Sequence, residues 1–237
     1  MLSEKPWRAE AVLLFCAAQL ACLCLGVAAA VALHKARVAG FRQPEDFGNL
    51  LVTTLSFQGA TWLLISDFLR QHQTGWGAAF GWRGPHLKSA LVTALKFIVV
   101  ILPVVLLLQA ASVWTLGKFG WPTEDQVAVS VLLRSQAWWA TAYFGVFAVV
   151  IAPVAEEFIF RGMLFSGAKK LGWPKSGWIG ASLLFALVHG SAPIFLPLFA
   201  FGLALTWLYE KTEGLLAPFA AHSLFNAANL IILLVQT

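Results

Sequence analysis

Glu156 and Glu157 stand side by side in Pro153-Val-Ala-Glu-Glu-Phe-Ile-Phe-Arg161-Gly-Met-Leu-Phe165, and with Arg161 they are the only formal charges between Trp138 and Ala168. A carboxylate near a bilayer centre costs roughly 2.5–3.5 kcal/mol on insertion scales, so an apolar stretch that keeps two should give them partners or a task. On a helix, Glu157 and Arg161 stand four apart and meet on one face, while Glu156 points about 100° away. The arginine can therefore neutralise one glutamate and leave the other free to act. A buried ion pair that merely orders a bundle is the competing explanation.

Two histidines lie in later apolar stretches: His189 ends Phe185-Ala-Leu-Val-His189, and His222 opens His222-Ser-Leu-Phe-Asn226. The second spacing sets an imidazole and a carboxamide on one face of a helix. A lone intramembrane histidine is commonly an interhelical hydrogen-bonding contact, but here two accompany a charged pair. A carboxylate beside an imidazole can share a water and take its proton, while a second imidazole and an amide can donate to an oxyanion. Glu156, His189 and His222 are equally a possible zinc set, because catalytic zinc commonly has three protein ligands and an open position. Composition and spacing leave both open. Ser223 faces another side of its helix than His222, so no hydroxyl nucleophile is called for.

These residues resemble a known family. Glu156-Glu157-Phe-Ile-Phe-Arg161 is similar to the EExxxR motif of the CPBP intramembrane proteases (CAAX proteases and bacteriocin-processing enzymes), Phe185 to His189 to its FxxxH motif, and His222 to Asn226 to its HxxxN motif. The resemblance implies a membrane-embedded helical fold with a cavity opening to the cytosol. It also implies roles: Glu156 as general base, His189 as its partner in activating water, and His222 with Asn226 as oxyanion donors. Glu157 paired with Arg161 becomes a structural brace, in agreement with the spacing, and Phe185 supports the site. Prenylated CAAX-type or other membrane-associated peptides are the implied substrates. The family also holds immunity and scaffolding members, so a non-catalytic interaction protein is one alternative. An ion- or proton-coupled transporter is another, although it would spread polar groups along a path, often in repeated halves. The Asn226 amide, an uncommon zinc ligand, favours the metal-independent route.

The elements that must position these groups are apolar. Of 237 residues, 59% are hydrophobic and 11% charged, against a globular average of about 25% charged, and the mean hydropathy is +0.78. The expected fold is all-α: a polytopic membrane helical bundle of about seven (six to eight) transmembrane helices, one domain over 1–237 with its catalytic core at about 138–237. Seven apolar runs, at about 11–33, 47–69, 89–116, 138–168, 176–189, 193–209 and 215–235, should all be helical because lipid offers no partner to an open backbone. Glu156 and His189 each lie ~18–20 Å from the ends joined by the Lys169/Lys170/Lys175 loop, so they can face each other. Pro153, Gly190, Pro193 and Pro197 can kink helices and open a cavity.

Thr123 to Gln126 has capping-box spacing and predicts a short interfacial helix at 124–135. The three cysteines, all in the first run, have neither zinc nor redox spacing. That first run exceeds a signal-peptide core and reads as an uncleaved span. Trp62, Trp114, Trp138, Trp139 and Trp207 fall near run ends, as headgroup anchors do. Counting Lys and Arg by alternating side gives nine with the N-terminus and five opposite, which predicts a cytoplasmic N-terminus in a cell (plasma) membrane. The dispersed net charge of +5 suits anionic lipid and makes no nucleic-acid footprint.

Overall fold

A computed structural model describes residues 7–43, 46–80, 86–123, 129, 132 and 138–236. Every apolar run is helical. In chain order the helices are α1 (Ala9–Lys35), α2 (47–71), the short α3 (Trp76–Phe80), α4 (His86–Lys118), α5 (138–170), α6 (Pro174–Leu187), α7 (Ala192–Thr212) and α8 (Leu216–Gln236). No strand occurs among the described residues. Among the described residues five stretches, Ala9–Lys35, Leu87–Lys118, Thr141–Lys170, Ala192–Thr212 and Leu216–Val235, are long and apolar enough to cross a membrane. At 14 residues α6 reaches only ~21 Å. The capping-box helix expected at 124–135 lies outside the described residues, apart from two isolated positions.

Large apolar side chains cover the outside of α1, α2 and α4: Leu14, Leu63 and Leu107 are all more than 70% exposed. So much outward apolar surface on three helices is the signature of a lipid-facing wall. This is an integral membrane protein.

α5 is different, because it is the axis of the bundle. Residues 152–163 are buried without interruption, which a helix achieves only when neighbours surround it. α6, α7 and α8 pack against it, and α4 packs on α7 and α8. The α1–α2 hairpin closes on α5 through Phe15 and Phe68, whose rings lie 6.5 and 6.4 Å from that of Phe158.

Neither α2 nor α5 is a uniform α-helix. Leu55–Gly59 in α2, and Phe147–Ile151 and Phe158–Phe165 in α5, are π-helical, so the two wide segments of α5 bracket the ordinary turns that carry Glu156 and Glu157. Pro153 accounts for the first of these two. Its ring meets the carbonyl four residues back and it has no N–H to offer, so the preceding turn widens. A widened turn presents carbonyls to other helices, and these are used. Gln19 Nε2 donates to Phe57 O at 2.9 Å, Asn226 Nδ2 to Ala148 O at 2.6 Å, and Trp7 Nε1 to Gly162 O at 3.0 Å. Polar side chains from α1, α8 and the N-terminal segment thus fasten the wide turns in place.

One of the five tryptophans expected at the headgroups departs from that expectation, and Trp7, outside that set, is buried too. Trp62 points inward, stacking on Trp76 with centroids 5.0 Å apart and donating to Ile151 O at 3.4 Å. Trp7 is only 2% exposed. Trp114, Trp138, Trp139 and Trp207 are exposed as expected.

Candidate active site

The charged cluster sits at the junction of α5 and α8. Glu157 and Arg161 are completely buried, and Arg161 Nη1 donates to Glu157 Oε1 at 2.9 Å. This is the pair expected from the four-residue spacing. The same Oε1 also accepts from His222 Nδ1 at 2.9 Å, so Glu157 braces an imidazole as well as a guanidinium. The other ring nitrogen, His222 Nε2, lies 3.7 Å from Glu156 Oε2. That is too long for a hydrogen bond, but a water beside the gap could reach both groups.

The protonation pattern follows from these partners. Nδ1 of His222 is committed as a donor to Glu157, so Nε2 is a lone pair in the neutral ring and a donor only in the imidazolium. Two carboxylates against one arginine leave one negative charge over, and an imidazolium at His222 or a proton on Glu156 would balance it. Glu156 and His222 are therefore the pair between which one proton can be shared.

Phe185 is the hub of the site. Its fully buried ring lies 4.9 Å from the Arg161 guanidinium carbon, 4.9 Å from the His189 ring and 5.6 Å from the His222 ring. Phe160 closes a fourth side at 5.3 Å, edge to face. A guanidinium over an aromatic face is attracted to it, and strongly so where water is excluded.

His189 lies two residues past the end of α6 at Leu187. Gly190, at φ +63°, turns the chain into the left-handed region that commonly ends a helix. The His189 ring donates from Nδ1 to Phe185 O at 2.7 Å, satisfying one of the carbonyls a helix end leaves open. Its Nε2 therefore carries a lone pair. Among the described residues His189 makes no ion pair with a carboxylate, so the imidazole that directly faces Glu156 is His222, and His189 joins the cluster through the ring of Phe185. Length and depth alone could not distinguish these arrangements.

Asn226, one turn along α8 from His222, spends one amide hydrogen on Ala148 O at 2.6 Å and keeps the second. Glu156, His189 and His222 do not assemble as a zinc site: among the described residues no three His, Cys, Asp or Glu side chains gather to hold a metal ion. Each of the two imidazoles donates its Nδ1 hydrogen elsewhere, His222 to Glu157 Oε1 and His189 to Phe185 O, and keeps Nε2 as a lone pair.

Two contributors escaped the motif reading. Arg161 Nη2 donates to Gly202 O at 3.0 Å, and Thr206 Oγ1 donates to the same carbonyl at 3.0 Å. A glycine inside an apolar span signals close helix packing, and Gly202 was open to that reading. No pattern in the sequence shows that its carbonyl would meet Arg161.

Residues 137–228 match the family model described as Rce1-like, type II CAAX prenyl endopeptidase. The matched stretch contains all three motifs and supports the resemblance to the CPBP proteases. The "Putative membrane peptidase YdiL" of Bacillus subtilis (strain 168) is 31% identical over 78 residues, which is 32% of this chain and 32% of that protein. The chain thus spans about a third of the length of that relative. No solved structure matches.

Proposed function

We propose that this chain, similar over residues 137–228 to the type II CAAX prenyl endopeptidases, is an intramembrane endopeptidase in which Glu156 activates water. One observation carries the proposal. Glu157 is held by Arg161 and His222, whereas among the described residues the ion-pair contact of Glu156, whose side chain is 10% exposed, is with His222 Nε2 at 3.7 Å. A buried carboxylate that is not bonded to the arginine and stands beside an imidazole is placed to take a proton.

In the proposed reaction a water, oriented by Glu156 and by the lone pair on His189 Nε2, gives its proton to Glu156. Its oxygen adds to the carbonyl carbon of the scissile peptide. The resulting oxyanion accepts hydrogen bonds from the free amide hydrogen of Asn226 and, in the imidazolium, from His222 Nε2. The carbon–nitrogen bond then breaks as the proton held by Glu156 passes to the departing nitrogen, leaving a carboxylate and an amine.

The lipid-facing walls and the family likeness support a membrane-associated peptide as substrate, with a prenylated CAAX-type C-terminus as the first candidate, in a cell membrane with the N-terminus cytoplasmic. The test uses protein reconstituted in liposomes with a farnesylated C-terminal peptide and its unprenylated counterpart. We expect cleavage of the farnesylated peptide, lost in Glu156→Gln. Equal cleavage of both peptides would remove the lipid from recognition, and cleavage of neither would remove this substrate class.

A further inference from the structure

We infer that Gly202, which lies outside all three motifs, is a positioning residue of the site: its bare Cα lets α7 close on α6, and this closeness sets Arg161 and Phe185 against the histidines. The inference rests on the peptidase reading for its kinetic consequence, but its geometry stands apart from it.

Gly202 is buried on α7 where that helix crosses α6. A Cβ there would lie 3.1 Å from Ser182 Cβ, 3.2 Å from Ser182 Cα and 3.3 Å from Phe185 Cδ1. One of these atoms is backbone, so the strain cannot be relieved by a side-chain rotation alone; α6 and α7 must part or Phe185 must shift. Both outcomes reach the site. Phe185 is in contact with Arg161, His189 and His222, and the Gly202 carbonyl is the acceptor that holds Arg161 Nη2. Displacing Arg161 loosens Glu157, and Glu157 is what fixes the His222 ring.

The rest of this α7 face supports the same task. Gly202, Thr206 and Tyr209 stand at i, i+4 and i+7, one above another. Thr206 donates to the Gly202 carbonyl. The Tyr209 hydroxyl is 2.9 Å from Ser166 Oγ, which in turn donates to the Arg161 carbonyl at 2.8 Å. α7 therefore holds Arg161 at both ends, by its guanidinium through Gly202 and by its main chain through Ser166. Next to Gly202, Leu203 O accepts from Trp178 Nε1 at 2.9 Å, pinning α6 at the crossing.

The test compares wild type, Gly202→Ala and the double variant Ser182→Gly/Gly202→Ala, which removes the tightest of the three contacts and leaves those with Ser182 Cα and Phe185 Cδ1. Two readouts are taken. The first is 15N NMR of histidine-labelled protein in detergent, with the His222 Nδ1 resonance assigned by its loss in His222→Gln. The second is peptide turnover. Gly202→Ala should shift the His222 resonance and lower kcat by ~10-fold with KM unchanged, since a misplacement well under 1 Å is costly to a positioned reaction. The double variant should move the resonance and kcat part of the way back to wild type. An unchanged resonance and kcat in Gly202→Ala, or a double variant no nearer to wild type than Gly202→Ala, would overturn the inference. Should Gly202→Ala alone not accumulate, the double variant is compared with wild type directly, and a resonance and kcat identical to wild type, with the methyl still against Ser182 Cα and Phe185 Cδ1, then overturn it. If wild type cuts no peptide, the peptidase reading fails, while the resonance still decides the positioning claim.

Discussion

At the scale of single residues, the site is an array of coupled charges. Glu157 stands between Arg161 and His222, sharing one carboxylate oxygen with both. Arg161→Ala would leave a fully buried carboxylate supported by one imidazole alone. Losing one partner of such a pair costs about 3–5 kcal/mol, so this variant should show sharply reduced folded yield, checked by size-exclusion chromatography in detergent. A well-folded but inactive Arg161→Ala protein would assign the arginine to chemistry or substrate binding. The Glu157–Arg161 contact was legible in the sequence because a four-residue helical spacing is local geometry. The Glu157–His222 contact was not, because it joins residues 65 apart, and the mutual orientation of α5 and α8 decides which imidazole meets which glutamate.

At the scale of elements, the seven apolar runs became helices almost to the residue, since length and apolarity in lipid leave few alternatives. The π-helical turns on either side of the glutamates were not legible. Reading periodicity assumes a regular helix, and a widened turn changes which residues share a face without changing composition. Gly190 was legible as a breaker, and its φ of +63° now gives it a specific task in setting His189. Gly190→Ala should cost about 1–2 kcal/mol for a left-handed conformation and reduce turnover by moving His189, whereas Gly190→Asn should be milder because Asn tolerates this region. Thermal unfolding in detergent and peptide turnover would check both. Equal stability and turnover for Gly190→Ala and wild type would show that the turn does not set the histidine.

At the scale of the whole molecule, the alternation of the helices puts the N-terminal segment, the α5–α6 loop and the α7–α8 loop at one end. The hydrogen bond from Trp7 to Gly162 and the ion pair between Lys169 and Glu210 lie on that side. The excess of Lys and Arg there predicts that this end faces the cytoplasm. In a protein whose native cysteines are replaced by alanine, Gly172→Cys should react with an impermeant maleimide only after cells are opened, and Trp121→Cys should react in intact cells. The reverse pattern would invert the topology. The central claim, that Glu156 drives hydrolysis of a peptide bond, is tested most directly on whole membranes. Membranes carrying wild type or Glu156→Gln at equal folded levels are incubated in 18O-water, and new peptide C-termini are compared by mass spectrometry. General-base catalysis contributes typically 10²–10⁴-fold, so the account predicts 18O-labelled C-termini with wild type that fall at least ~100-fold with Glu156→Gln. Identical sets of labelled C-termini from the two membranes would contradict it.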